Sequence, residues 1–191
     1  MPMNSLERAL LALAASFDRK GTPYMVMGGL ANIIWGEPRA TIDVDATIWV
    51  EDAQIDAVVH DLVSEFHALS GDPVAFVRET RVLPLESDQG VRIDVVFGLL
   101  PFERDAIARA VPIEVAGVTV RFCTPEDLIL MKIISERERD LADAEKITHR
   151  RLPELDLDYL EPRIRELAEL LGRTEIVRRW EAWKASATDR P

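Results

Sequence analysis

Met25-Val26-Met27-Gly28-Gly29, followed at a short interval by Thr41-Ile42-Asp43-Val44-Asp45, decides how this chain reads. The first stretch predicts an apolar strand that ends in a tight turn at a glycine pair. Residues 30–35 then predict a short helix, closed near Gly36-Glu37-Pro38, and residues 41–50 a second strand. Along that strand Thr41, Asp43, Asp45 and Thr47 share one face. Ile42, Val44, Ala46 and Ile48 share the other, so the core lies behind the two acids.

Two carboxylates held side by side repel unless a cation or a proton lies between them. Oxygen ligands of this kind suit Mg²⁺, which keeps several waters and binds jointly with substrate phosphates. The glycine pair complements them. Without side chains, the backbone amides of Gly28 and Gly29 can approach phosphate oxygens at the start of the following helix. Further along, Arg92-Ile93-Asp94-Val95-Val96-Phe97 predicts a strand in which Asp94 is the one acid. An unpaired charge in that apolar run would be costly.

A small-Gly-Gly turn, Asp-hydrophobic-Asp, and a later strand carrying one more acid resemble the signature of the DNA polymerase beta-type nucleotidyltransferase superfamily. The fuller string Gly28-Gly29-Leu30-Ala31, Gly36, Pro38-Arg39-Ala40-Thr41 and Asp43-Val44-Asp45 is similar to the AbiEii-like, toxin and abortive-infection type of nucleotidyltransferase. Pro125-Glu126-Asp127-Leu128-Ile129, running into Lys132, Arg137, Asp140 and Asp143, adds to that likeness. Aminoglycoside and lincosamide nucleotidyltransferases are more distant cousins. The resemblance covers roughly residues 20–145 and extends weakly into the C-terminal helices.

The resemblance implies an α/β (α+β) fold: a small mixed nucleotidyltransferase-type sheet flanked by helices, then a C-terminal helical region. The expected division is residues 1–123 for the core and 124–191 for the helical part. Implied chemistry is transfer of a nucleoside monophosphate from an NTP to a hydroxyl acceptor, with release of pyrophosphate. Asp43 and Asp45 would hold one Mg²⁺ on the phosphates. With Asp94 they would hold a second, about 3.5–4 Å away, that activates the acceptor hydroxyl; Mn²⁺ could substitute. Asp94 is the candidate for helping to remove the acceptor proton. Gly28, Gly29, Arg39 and Thr41 form the expected nucleotide and phosphate contacts, although Arg39 can equally anchor the loop before the strand. Lys132 completes the catalytic candidates. Its ammonium either neutralises the triphosphate, or meets Asp140 and Asp143, or snorkels from a buried helix to water. The expected acceptor is an RNA end, tRNA above all, in a toxin-like enzyme paired with an antitoxin. A small antibiotic-type hydroxyl compound is the alternative, and a nucleotide-binding module that has lost its chemistry is a third.

Composition bounds these expectations. At 191 residues, 48% hydrophobic and 30% charged, the chain can bury one good core with a helical appendage. No apolar run reaches the roughly 20 residues that span a bilayer. The sequence Met1-Pro2-Met3-Asn4-Ser5-Leu6-Glu7 lacks the regions of a secretion signal, and a single cysteine, Cys123, fits a reducing compartment, so a cytoplasmic location is expected. A net charge of −11 argues against nonspecific DNA binding, which needs many Lys and Arg contacts.

Outside the site, Leu6, Leu10, Leu13 and Phe17 predict an amphipathic first helix opened by a capping box at Asn4 and Glu7. Asp52 is expected to cap the next helix, with Ile55, Val58, Val59, Leu62 and Phe66 inward. Residues 81–85 and 91–97 predict an antiparallel pair, and residues 111–116 and 118–123 a second pair hinged at Gly117. Thr124-Pro125-Glu126-Asp127 is a helix start. Trp180 and Trp183 predict a docked C-terminal helix rather than a base-stacking surface. His60 and His67, placed on the third helix, and His149 lack metal-ligand spacing.

Overall fold

The structure, a computed structural model, describes residues 3–188. It divides into two compact units. One comprises the chain up to Leu30 together with Ala40–Cys123, and the other comprises Ala31–Arg39 and the chain from Thr124 onward.

The first unit is built on a seven-stranded mixed sheet. Its strands are β1 (Tyr24–Met27), β2 (Asp43–Ile48), β3 (His67–Ala68), β4 (Val82–Glu86), β5 (Arg92–Phe97), β6 (Val111–Val115) and β7 (Val118–Phe122), in the order β3-β4-β5-β2-β1-β7-β6. β2 is therefore the central strand, antiparallel to β1 and parallel to β5. Val44, Ala46 and Ile48 on its inner face are fully buried, as are Ile93, Val95 and Phe97 of β5. α1 (Ser5–Lys20) packs on β2 and β7, and α5 (Pro101–Arg109) on β1 and β2. α1 opens as expected: Asn4 Oδ1 accepts from the Glu7 N–H at 2.8 Å, and Glu7 Oε2 accepts from the Asn4 N–H at 2.9 Å. It ends at Gly21, whose φ of 64° is the left-handed conformation that glycine tolerates.

Four details differ from the sequence reading. β2 starts at Asp43 rather than Thr41, because its ladder with β5 begins at Asp43 opposite Arg92; Ile42, without a strand partner, is 83% exposed. Asp52 does not cap α3 (Ile55–Val63). It lies in a preceding 3-10 turn, and its carboxylate pairs with Arg81 at 2.9 Å. α3 stops at Val63, so His67 falls in β3 and not on a helix. Residues 73–80, to which the sequence reading assigns no element, form α4 (Pro73–Thr80). Asp72 Oδ1 accepts from the Ala75 N–H there, and proline occupies the first turn.

The second unit is helical. α2 (Gly28–Trp35) starts at the glycine pair, two residues earlier than expected, and passes from the first unit into this one. α6 (Pro125–Ile133), α7 (Glu138–Arg151), α8 (Leu157–Leu170) and α9 (Glu175–Thr188) pack on one another. Thr124 caps α6 by accepting from the Asp127 N–H. Trp180 and Trp183 are 1% and 7% exposed, which is the docked arrangement. His149 meets Ser186 at 2.7 Å, a contact of structural kind. No helix among the described residues is long and apolar enough to cross a membrane.

Candidate active site

The parallel ladder between β2 and β5 places Asp45 directly opposite Asp94, with Asp43 one alternation earlier on the same face of β2. Three acidic residues thus share one face of two adjacent central strands. All three are partly exposed, while the residues alternating with them are buried.

Each acid is held by a neighbour. Thr41 Oγ1 donates to Asp43 Oδ1 at 2.7 Å, which orients Asp43 from the loop before β2. Arg92 grips Asp94 in a fork, Nε donating to Oδ2 at 2.9 Å and Nη2 to Oδ1 at 3.0 Å. Asp45 lies against Gly28: a Cβ at that position would collide with the Asp45 carboxylate. Gly28 also has a φ of 64°, so both space and backbone conformation call for glycine. A Cβ at Gly29 would in turn strike the Thr41 hydroxyl. The glycine pair thus packs its bare backbone against both halves of the Thr41–Asp45 segment, at the N-terminal end of α2.

Arg92 is the residue that the sequence reading passed over. The available signal was its alternation with Asp94: residues two apart on a strand share a face, so an arginine there reaches the acid. Hydrogen bonding and the charge of Asp94 push the Arg92 guanidinium above its ordinary value. Asp43 and Asp45 add to this, against a smaller opposing effect of burial. The acidic face therefore already acts on a cation. Its all-oxygen donors fit Mg²⁺ or Mn²⁺ in kind. Among the described residues, however, no three His, Cys, Asp or Glu side chains are drawn around one point. Both oxygens of Asp94 are turned toward the Arg92 guanidinium.

Arg39 and Lys132 belong to the second unit, where they share partners. Lys132 is 5% exposed, and its Nζ donates to Asp140 Oδ1 and Asp143 Oδ2, each at 3.0 Å. Arg39 donates to the same Asp143 oxygen from Nε at 3.2 Å and Nη2 at 3.0 Å. Ser135 Oγ donates to the other Asp140 oxygen at 2.9 Å. Burial raises the Asp140 carboxyl, yet Lys132, Ser135 and Arg137 together hold it below its ordinary value. Lys132 therefore does not snorkel to water. Two cations and two acids balance inside one helical unit.

A family model described as Nucleotidyltransferase of unknown function (DUF6036) matches residues 5–188. No curated protein matches the chain. Among solved structures, an antigenic nucleotidyltransferase-like protein from Paracoccidioides brasiliensis is 21% identical. It covers 93% of this chain and 95% of its own, with a TM-score of 0.55. The lincosamide antibiotic adenylyltransferase LnuA, solved with lincomycin bound, is 13% identical over 76% of this chain and 98% of its own, with a TM-score of 0.53. The antibiotic-resistance factor ANT(2'')-Ia is 14% identical over 96% of this chain and 97% of its own, also at 0.53. At such identities the three structures speak to the fold, and that fold is the nucleotidyltransferase one.

Proposed function

The chain belongs to the family described as Nucleotidyltransferase of unknown function (DUF6036), and from that premise we propose that it is a Mg²⁺-dependent enzyme acting at the carboxylate face of β2 and β5. It moves a nucleoside monophosphate from an NTP to a hydroxyl acceptor. The observation that carries this reading is the register that sets Asp45 opposite Asp94, with Asp43 beside them and the Gly28-Gly29 turn packed on Asp45.

In this mechanism the N-terminal amides of α2 at Gly28 and Gly29 receive phosphate oxygens of the NTP, where the helix dipole favours negative charge. Thr41 keeps Asp43 oriented, and Gly28 leaves the room in which the Asp45 carboxylate sits. Asp43 and Asp45 would hold Mg²⁺, with Asp94 as third ligand once Arg92 swings off it. Bound there, the ion would offset phosphate charge and lower the pKa of the acceptor hydroxyl. Asp94 accepts the acceptor's proton, the acceptor oxygen attacks the α-phosphate in line, and pyrophosphate departs. Arg39 and Lys132, committed to Asp140 and Asp143, we assign to the integrity of the helical unit.

For the acceptor, an RNA end, tRNA first, follows from the AbiEii likeness, and with it an antitoxin partner and a cytoplasmic setting. A small hydroxyl compound is the second reading. It is supported by structural neighbours named as a lincosamide antibiotic adenylyltransferase and an antibiotic-resistance factor.

The test is transfer from each common NTP, labelled at the α-phosphate, onto total cellular RNA, small hydroxyl compounds and the protein itself. It is run with Mg²⁺ and with chelator, beside an Asp45→Asn variant of unchanged circular dichroism. Label that requires both Mg²⁺ and Asp45 supports the mechanism, and its position names the acceptor. Wild-type transfer by Asp45→Asn, or transfer indifferent to chelator, overturns it.

A further inference from the structure

The first unit contains a cavity of about 490 Å³ at the end of the β1–β2 pair away from the carboxylates. Phe17, Tyr24, Trp49, Arg104, Ile107 and Arg121 are among its lining residues. Tyr24 begins β1 and pairs with Ile48, whereas Met27 at the other end of β1 pairs with Asp45. Trp49 lies four residue steps of largely extended chain beyond Asp45, about 13 Å, and six beyond Asp43, about 20 Å. The cavity is therefore distinct from the face assigned to phosphoryl transfer. Its size is within the roughly 300–1,000 Å³ of small-molecule sites.

Its lining combines two chemistries. Trp49, half-buried, supplies flat apolar surface, while Phe17 and Tyr24, each 2% exposed, line the cavity with ring centroids 5.0 Å apart. Arg104 stands with its guanidinium carbon 5.7 Å from the centre of the Trp49 ring. Among the described residues neither Arg104 nor Arg121 meets a carboxylate, although 34 acidic residues against 23 basic ones make spare acids plentiful. The lining also includes Asp18, Gly21 and Thr22 at the end of α1.

A separate observation lies at the floor. Tyr24 is only 2% exposed, and its hydroxyl accepts from the Arg121 N–H at 3.4 Å. Tyr24 also lines the cavity, so its hydroxyl stands at the cavity wall beside the Arg121 backbone. Burial is the main influence that pushes the phenol above its ordinary value, which keeps its proton in place.

We propose that this cavity is a second ligand site, for a planar aromatic compound bearing one anionic group, with the dimensions of a nucleoside monophosphate. The ring stacks on Trp49, the phosphate or carboxylate meets the Arg104 and Arg121 guanidinium groups, and the Tyr24 hydroxyl donates to a ligand oxygen. Asp18 accepts from an exocyclic amine or hydroxyl of the ligand.

The test follows the Trp49 indole N–H by NMR in the Asp45→Asn protein with chelator present, the signal being assigned with a Trp49→Phe variant. The probes are AMP, adenosine, inorganic phosphate and indole-3-carboxylate. Expected are a saturable shift with AMP or the aromatic carboxylate, and binding at least tenfold weaker for adenosine or phosphate alone. Arg104→Gln/Arg121→Gln, changing two exposed side chains, is expected to weaken the AMP shift at least tenfold while circular dichroism is retained. AMP moving Trp49 and the carboxylate not moving it names phosphate as the anion; the converse names carboxylate. No shift with either compound at millimolar concentration, or an equal shift in the double arginine variant, overturns the proposal.

Discussion

Lys132→Met removes one cation from a buried group in which two cations balance two acids. In the native chain Lys132 Nζ is 3.0 Å from an oxygen of Asp140 and 3.0 Å from one of Asp143. Methionine keeps the length of the stem, so little cavity is created and the electrostatic loss dominates. Deleting one partner of a buried ion pair costs about 3–5 kcal/mol, because the remaining charge stays desolvated. Here Arg39 still serves Asp143 and Ser135 still serves Asp140, and the Asp140 side chain is 23% exposed, so about 3 kcal/mol is expected.

The pH dependence has a fixed sign. Burial alone would raise Asp140, and Lys132 heads the groups that lower it below its ordinary value. A depressed folded-state value contributes stability above the unfolded-chain value, and that contribution is lost as pH falls through the folded value. The difference between wild type and Lys132→Met is therefore largest near neutral pH and shrinks as pH falls below about 4. The assay is urea unfolding followed by tryptophan fluorescence. Trp35, Trp180 and Trp183 all lie in the helical unit and only Trp49 in the other, so the signal reports the unit that carries the change. A loss below about 1 kcal/mol, or a deficit that persists unchanged into acid, would refute the assignment of Lys132 to this balanced group.

Gly28→Ala is expected to cost about 1–2 kcal/mol through its φ of 64° and to cut transfer at least a hundredfold by displacing the Asp45 carboxylate. Gly21→Ala, with the same φ and open space around it, separates the two effects; transfer lost equally in both variants would contradict the Asp45 contact. Trp180→Ala empties a site that is 1% exposed and should cost about 3–5 kcal/mol in the same unfolding assay, whereas a near-neutral value would show the tryptophan to be loosely packed. Arg92→Gln breaks an ion pair whose arginine side chain is 58% exposed, so stability should change by less than about 1 kcal/mol. The same change should lower the Mg²⁺ concentration needed for half-maximal transfer, and a higher requirement would show that Arg92 supports the ion rather than competing with it.

Much of the first unit is legible in the sequence. Period-two alternation put Val44, Ala46 and Ile48 inward, and burial leaves a strand no other register. The capping signals at Asn4 and Thr124 are local interactions, complete within one turn, and so they read directly from neighbouring residues. The same locality explains how Gly28-Gly29, Asp43, Asp45 and Asp94 could be singled out, since each stands out against its own flanking residues.

Other features were settled only by tertiary structure. Which strands lie side by side depends on non-local pairing, so the meeting of Asp45 with Asp94 exists only once β5 is placed against β2. Where β2 begins was decided by the reach of that same ladder, which left Ile42 outside it and exposed. α4, eight residues long, is too short to hold as an isolated helix and rests on packing against α3 and β4. The fate of Lys132 turned on two acids one helix away, and burial made their company the stable alternative to water. Sequence carries short-range chemistry in full, whereas the partner of a charge across a core is chosen by whichever chain segments the hydrophobic packing brings beside it.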